Sequence, residues 1–247
     1  PYDSGFSNLI RIGRNSDGGY VIDKRVINQT NAIISCGLEA EWSFEKEFKR
    51  FNKNCKIISF DHTVNTKFWI DRIFNDFKSL FLLRKIYFNK FYLFRFIDYL
   101  NFFNKNNLHY LKKIVSKKKD KNKEITITEA IGKYKNVVLK IDIEGDEFKI
   151  LKDVDKNFNN INLVIIEFHD LQKNLNKIKN FIKKTKFRNI HINANNYGMV
   201  DINGIPQVIE MTLINPKKFK IRNIKVKRNY PLKGLDFKNR KRGPNIK

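Results

Sequence analysis

Short apolar runs alternate along the chain with stretches whose apolar residues recur every three or four positions. Ala32-Ile-Ile-Ser-Cys36, Lys56-Ile-Ile-Ser-Phe60, Val137-Val-Leu-Lys-Ile141 and Leu163-Val-Ile-Ile166 have strand length and are rich in β-branched residues. Between and after them, Phe44, Phe48 and Phe51 share one predicted helix face, Phe148, Leu151 and Val154 another, and Leu175, Ile178 and Ile182 a third. Strands apolar on both faces, alternating with amphipathic helices, predict a parallel sheet covered on both sides. Thr126-x-x-Glu129 has the capping-box spacing and predicts a helix start just before the third strand. Arg188–Asn193 and Pro206–Ile214 alternate around Asn203-Gly204 and predict a closing hairpin. The expected fold is α/β, Rossmann-like and doubly wound, in a single domain over 1–247.

Two segments break the alternation. Residues 68–103 hold 14 of the chain's 33 aromatics, interleaved with Arg72, Lys78, Arg84, Lys85, Lys90 and Arg95. Residues 112–123 are nearly all charge and predict an exposed loop. The stretch 64–124 is therefore expected to be an aromatic and basic insertion of two or three helices riding on the sheet. Three uses remain open for it: a lid over an acceptor, an interfacial surface for a lipid-linked saccharide, or a platform for nucleic-acid bases.

Charge changes the picture of partners. The chain carries 50 Lys+Arg against 25 Asp+Glu, a net +25, and 41% hydrophobic content. An acidic or disordered chain is excluded, and a phosphate-bearing partner is suggested. However, residues 112–123 and the basic C-terminal segment 217–247 carry +6 and +12 of that charge. The remainder spreads thinly, so +25 does not argue that the catalytic region reads nucleic acid. Abundant Lys, Asn, Ile and Phe, as AT-rich codons favour, offer a second source of charge. Cys36 and Cys55 make no disulfide framework, and four His give no zinc spacing. A reducing cytoplasm is expected, with peripheral contact at the inner face of an anionic membrane open. No run approaches the ~18 apolar residues of a membrane span, and no signal peptide is read. A start at Pro1 is expected of a processed chain or a piece of a longer one.

In an open parallel sheet, ligands bind beyond the carboxyl ends of the strands. Gly37, Asp61-His62, Asp142-x-Glu144-Gly145, Glu167-x-His169 and His191-x-Asn193-x-Asn195-Asn196 stand there. Asp61 has the spacing of a ribose-binding carboxylate, although capping a turn explains it equally. Ser35-Cys-Gly-Leu-Glu-Ala-Glu41 has one glycine where a dinucleotide fold wants three, and Glu39 and Glu41 would repel a pyrophosphate. A cofactor without phosphates, such as S-adenosylmethionine, fits better than NAD or ATP. Arg11, Arg14 and Asp17-Gly-Gly-Tyr20 read equally as a plain hairpin turn or as a pocket element.

Val138-Leu-Lys-Ile-Asp-Ile-Glu-Gly-Asp-Glu147 resembles the "LKIDxEGxE" signature of FkbM-type S-adenosylmethionine-dependent methyltransferases. Arg11-x-Gly13 with Asp17-Gly-Gly-Tyr-Val21, Ser35–Glu45 and Cys55–Asp61 resemble the branch that includes animal methyltransferase-like proteins. So do His191–Gly198, Glu210-Met-Thr212 and Leu235-Asp236-x-x-Asn239. The resemblance spans nearly the whole chain except about 64–124. It departs at His62, where that branch often carries proline.

The resemblance implies a seven-stranded, mostly parallel sheet of class I methyltransferase type, and O-methylation of a carbohydrate, glycan or secondary-metabolite hydroxyl. It places Gly37, Glu41, Asp61, His62 and Asp142 around the cofactor. Transfer to a hydroxyl requires alignment and proton removal. His169 is the first candidate base, because a histidine accepts a proton near neutral pH; Glu144 is the second, with Asp142 and His191 also available. Each histidine reads otherwise as a satisfied polar residue. Asp142, Glu167 and His169, with Glu144, could alternatively bind Mg²⁺ or Mn²⁺. The expected acceptor is a hydroxyl on a free, lipid-linked or nucleotide-linked glycan. An RNA methyltransferase and a non-catalytic basic module on a degenerate methyltransferase fold are the alternatives.

Overall fold

The computed structural model describes residues 1–82, 91–202 and 204–240. Arg84, Lys85, Lys90 and Asn203, together with residues 241–247 of the basic C-terminal segment, lie outside the described residues. The central sheet has seven strands. In chain order they are β1 Ala32–Cys36, β2 Lys56–Phe60, β3 Asn107–Tyr110, β4 Val137–Ile141, β5 Ile161–Phe168, β6 Arg188–Val200 and β7 Pro206–Ile214. Across the sheet they run β6-β7-β5-β4-β1-β2-β3. The five from β5 to β3 are mutually parallel, and β7 is antiparallel to both β5 and β6. The expected doubly wound, mostly parallel α/β fold is present, closed by the expected hairpin.

The helices are α1 Ser43–Phe51, α2 Thr66–Phe81, α3 Tyr92–Phe102, α4 Ile127–Ile131, α5 Glu147–Lys156 and α6 Leu171–Lys184. Strand side chains alternate between two cores, which is why each strand reads as a continuous apolar run. Ala32, Ile34 and Cys36 of β1, with Val137, Leu139 and Ile141 of β4, pack beneath α4, α5 and α6. Ile33 and Val138 face the opposite core, with α1, Trp69 of α2 and Phe102 of α3. The Thr126–Glu129 capping box starts α4 as expected. Phe51 departs from its predicted face: as the last residue of α1 it is exposed, while Phe44 and Phe48 are buried.

The segment 64–124 is not helical throughout. Its described part holds α2 and α3 and then β3, the edge strand of the main sheet, beside β2. Beyond it, Lys113–Ile114 pairs with Glu124–Ile125 in a short parallel ladder. An edge strand needs little apolar content, and Asn107-Leu-His-Tyr110 buries fully only Asn107. At the other end, Arg222–Lys225 pairs with Tyr2–Asp3, and Phe219 and Leu232 are buried. The basic C-terminal segment is thus folded onto the body as far as it is described.

Candidate active site

The strand order reverses between β1 and β4: from β1 the chain winds outward to β2 and β3, from β4 to β5. A crevice opens at such a switch point, beyond the carboxyl ends. Hydrogen bonds carry the ladder one residue past the strands: Asp142 N donates to Cys36 O at 2.8 Å, and Gly37 N to Phe60 O at 3.0 Å. On the far side Glu167 pairs with Glu210, and Glu210 with Asn193. Strand registry therefore sets Asp61, Gly37, Asp142, Glu167, Glu210 and Asn193 in one row across the sheet end.

A cleft of about 140 Å³ lies over the Gly37 end of this row. Gly37, Glu39, Asp61, His62, Asp142 and Glu144 line it. Gly37 has φ +84°, and a Cβ there would sit 1.6 Å from the Asp142 carbonyl oxygen. The first loop therefore crosses β4 at a separation only glycine allows. Asp61 Oδ2 accepts from the amides of Leu38 and Glu39, at 2.8 and 2.9 Å; Oδ1 accepts from the amide and hydroxyl of Thr63, at 2.7 and 2.6 Å. Burial would raise the Asp61 pKa, but these bonds outweigh it and hold it below the ordinary carboxylate value. Asp61 thus caps a turn and stands at the cleft. Glu41 does not reach this cleft. It pairs with Arg14 and lies 3.9 Å from Arg95, lining a separate cavity beside Trp42.

Lys112 and Lys113 complete the cleft wall with Ile114, which is buried. The charged 112–123 stretch is thus a wall at its start, held by the short ladder to Glu124–Ile125. Sequence reading missed this role, because the only apolar signal there is Ile114-Val115 among lysines. Neither α2 nor α3 lines the cleft.

His169, just past β5, is the centre of the acidic groups. Its Nδ1 lies 3.0 Å from Glu147 Oε1. Its Nε2 lies 3.5 Å from Glu144 Oε2, 3.8 Å from Glu167 Oε1 and 3.9 Å from Asp142 Oδ1. Glu147 is fully buried, and its Oε1 also accepts from the amides of Ile143 and Gly145, at 3.3 and 3.0 Å. It binds the turn after β4 to His169. Within the signature, the second glutamate is thus a scaffold, a role not visible in its spacing. Burial alone would lower the His169 pKa; Glu147, Asp142 and Glu144 outweigh it and raise it. Burial raises Asp142 to about 6 against the pull of Lys140 and His169. Asp142, Glu144 and His169 each offer one ligand atom within 4.8 Å of the others, an oxygen and imidazole set suited to a divalent cation. Glu167 Oε1, from the set expected in the sequence, is already bonded by Asn195 Nδ2 at 2.8 Å.

Past His169 the row is buried. Burial raises Glu210 to about 7, although Asn239 and Asn193 donate to it at 2.7 and 3.2 Å. Burial, then Asp142 and Glu210, push Glu167 well above its ordinary value. The Asp17–Gly19 turn joins the antiparallel strands Leu9–Ile12 and Tyr20–Asp23 as a hairpin; Asp17 contributes to raising Asp142, Glu167 and Glu210, but neither it nor Tyr20 is among the residues that line the cleft. Arg11 braces that turn by donating to the carbonyls of Arg14, Ser16 and Leu235. Beneath Gly37, buried Lys140 pairs with Glu45 at 3.4 Å. His191 stands apart from this centre, buried, with Nε2 2.9 Å from Asp236 Oδ1. It anchors the C-terminal segment and does not face the cleft.

Residues 86–189 match the family described as the methyltransferase FkbM domain. The match holds Asp142, Glu144, Glu147, Glu167 and His169, and begins within the expected insertion. Against curated proteins the chain finds no match. Among solved structures, the fibrillarin/Nop5p complex is similar at 9% identity over 76% of this chain and 73% of that one, with a TM-score of 0.42. Precorrin-6y C5,15-methyltransferase from Geobacter metallireducens GS-15 is similar at 10% identity, 77% and 85% coverage and a TM-score of 0.38. M. jannaschii TYW2 in complex with AdoMet gives 10%, 84%, 87% and 0.34.

Proposed function

We propose that this chain, whose residues 86–189 match the methyltransferase FkbM domain, transfers the methyl group of S-adenosylmethionine to a hydroxyl of a carbohydrate or related metabolite. The observation that carries this reading is the Glu147–His169 pair at the switch-point cleft. With its proton on Nδ1 toward Glu147, neutral His169 presents the Nε2 lone pair beside Asp142 and Glu144. An acceptor hydroxyl placed there loses its proton to Nε2 as its oxygen attacks the sulfonium methyl carbon. The carbon–sulfur bond breaks in line, and the thioether leaves. A methylated amine or carbon acceptor would make different use of such a base.

The cleft's charge supports the donor. Glu39, Asp61, Asp142 and Glu144 suit a cationic sulfonium and amine and disfavour a pyrophosphate. Gly37 leaves room for the methionine portion. Asp61 takes the ribose by releasing the Thr63 hydroxyl, the one of its four donors that rotates freely. His62 and Lys112 line the same cleft, where His62 would border the adenosine and the Lys112 ammonium would suit the methionine carboxylate.

A second reading of the same atoms has its own support in the Asp142, Glu144 and His169 grouping: a divalent cation there would bind the acceptor oxygen and lower its pKa. Turnover of a panel of sugar and polyol acceptors, followed by thioether release, tests the main reading. His169→Ala and Asp142→Asn should each lose most turnover at saturating donor; if both retain it, the assignment fails. Loss of activity in chelator, restored by Mn²⁺ or Mg²⁺, would favour the cation.

A further inference from the structure

We propose that Tyr99 and His109 are positioning residues for the cofactor: two hydrogen bonds, running from α3 through β3, fix Asp61 at the ribose end of the cleft. Resting on the reading of that cleft as the S-adenosylmethionine site, this gives the aromatic stretch 64–124 a part in it, although neither α2 nor α3 lines the cleft. The partners fix the direction of each bond. His109 Nε2 lies 3.0 Å from the Asp61 carbonyl oxygen, which can only accept, so Nε2 carries the proton. In the neutral ring Nδ1 is then a bare acceptor, and the Tyr99 hydroxyl donates to it at 2.7 Å. Burial holds the His109 pKa below its ordinary value, against the pull of the Asp61 carbonyl, and so keeps the ring neutral.

Each end of this chain of bonds is anchored. Tyr99 packs among Trp42, Trp69, Phe96 and Phe103 with ring centroids 5.0–6.5 Å away, so packing sets where its hydroxyl stands. At the other end β3 holds the Asp61 backbone twice. The Asp61 amide donates to the Tyr110 carbonyl at 3.1 Å, and the Asp61 carbonyl accepts from His109. That carbonyl opens the peptide unit leading into His62 and Thr63, which line the cleft. Its orientation therefore governs the Thr63 amide and hydroxyl, the two donors to Asp61 Oδ1. A water would satisfy the carbonyl as well but would not fix its direction. A carboxylate set in place before the sugar arrives spares the ordering cost that would otherwise weaken binding.

Calorimetric titration of the full chain with S-adenosylhomocysteine tests this. His109→Phe keeps a ring in the aromatic cluster and removes the donor, and should weaken binding about tenfold in protein that circular dichroism shows to be folded. His109→Gln returns an amide donor near the place of Nε2 and should restore affinity to within about threefold of wild type. Tyr99→Phe removes only the hydroxyl and should weaken binding about threefold; it carries the test if His109→Phe misfolds. A merely structural pair would instead lower the melting temperature of both His109 variants alike and leave the affinity of the folded protein unchanged. Wild-type binding matched by the folded His109→Phe and Tyr99→Phe variants overturns this inference alone, as does His109→Gln binding as weakly as His109→Phe. A wild type that binds no S-adenosylhomocysteine overturns the cofactor reading together with it.

Discussion

At the scale of single residues, the proposed proton removal rests on His169 and the carboxylate that orients it. Glu147, Asp142 and Glu144 together raise the His169 pKa above its ordinary value against the effect of burial. The base works only when neutral. In metal-free buffer, turnover should therefore rise with pH along a limb set above the ~6.5 of a free histidine. His169→Ala should lower kcat by roughly a hundredfold or more and remove that limb. Glu147→Gln removes the orienting charge but keeps a side chain of the same shape. It should shift the limb to lower pH and lower kcat while leaving the donor KM nearly unchanged. A merely structural Glu147 would lower stability without moving the limb, so a pH–rate profile decides. Asp142 and His169 were legible in the sequence because strand ends declare themselves by the break in apolar runs. Glu147 was not, because its work is to join two turns that are 22 residues apart. Glu41 and His191 show the converse limit. Both have suitable chemistry and sit near strand ends, yet each is drawn away by a partner, Arg14 or Asp236, that spacing cannot supply.

At the scale of elements, β4 positions the site through its buried lysine. Lys140 pairs with Glu45 of α1 and also donates to the Gly37 carbonyl at 3.4 Å. Replacing Lys140 by Met leaves the buried Glu45 uncompensated and should cost about 3–5 kcal/mol in chemical denaturation. Adding Glu45→Gln should recover much of that loss, whereas independent roles would make the two changes additive. At α4, Thr126→Ala removes the capping box and should cost about 1 kcal/mol. The parallel strands were readable because both faces are buried, and the capping box because it is local. The edge strand β3 was not readable, since Asn107-Leu-His-Tyr110 earns its place by pairing with β2. Its His109 lies 3.0 Å from the Asp61 carbonyl and 2.7 Å from the Tyr99 hydroxyl, tying α3 to the cleft.

At the scale of the molecule, two charge systems coexist. The surface is strongly basic, while buried Glu167 and Glu210, with half-buried Asp142 and Asp17, form an acidic row at the sheet end. Asp142 and Glu210, raised to about 6 and 7, stay protonated when folded over a range in which an unfolded chain, near pKa 4, has released its protons. The folded state then binds more protons, so this cluster's stabilisation is complete below pH ~4 and is lost as pH rises toward 7. With His169, whose raised pKa acts in the same direction, this predicts a melting temperature that falls between pH 5.5 and 8. Asp142→Asn should flatten that dependence in a thermal scan; an unchanged slope would show that other groups set it. Net charge as read from the sequence described the loop and the C-terminal segment well. It said nothing of the acidic row, which exists only once β4, β5 and β7 lie side by side.

The proposed occupant of the cleft between β1 and β4 is an S-adenosyl cofactor. Calorimetric titration of the purified chain with S-adenosylhomocysteine tests it most directly, with Gly37→Val titrated in parallel. A Cβ at Gly37 would meet the Asp142 carbonyl at 1.6 Å and push the loop out of place. Saturable one-to-one binding by the wild type is expected, weakened at least about tenfold in a variant that circular dichroism shows to be folded. Absence of wild-type binding, or equal affinity in the folded variant, would contradict it.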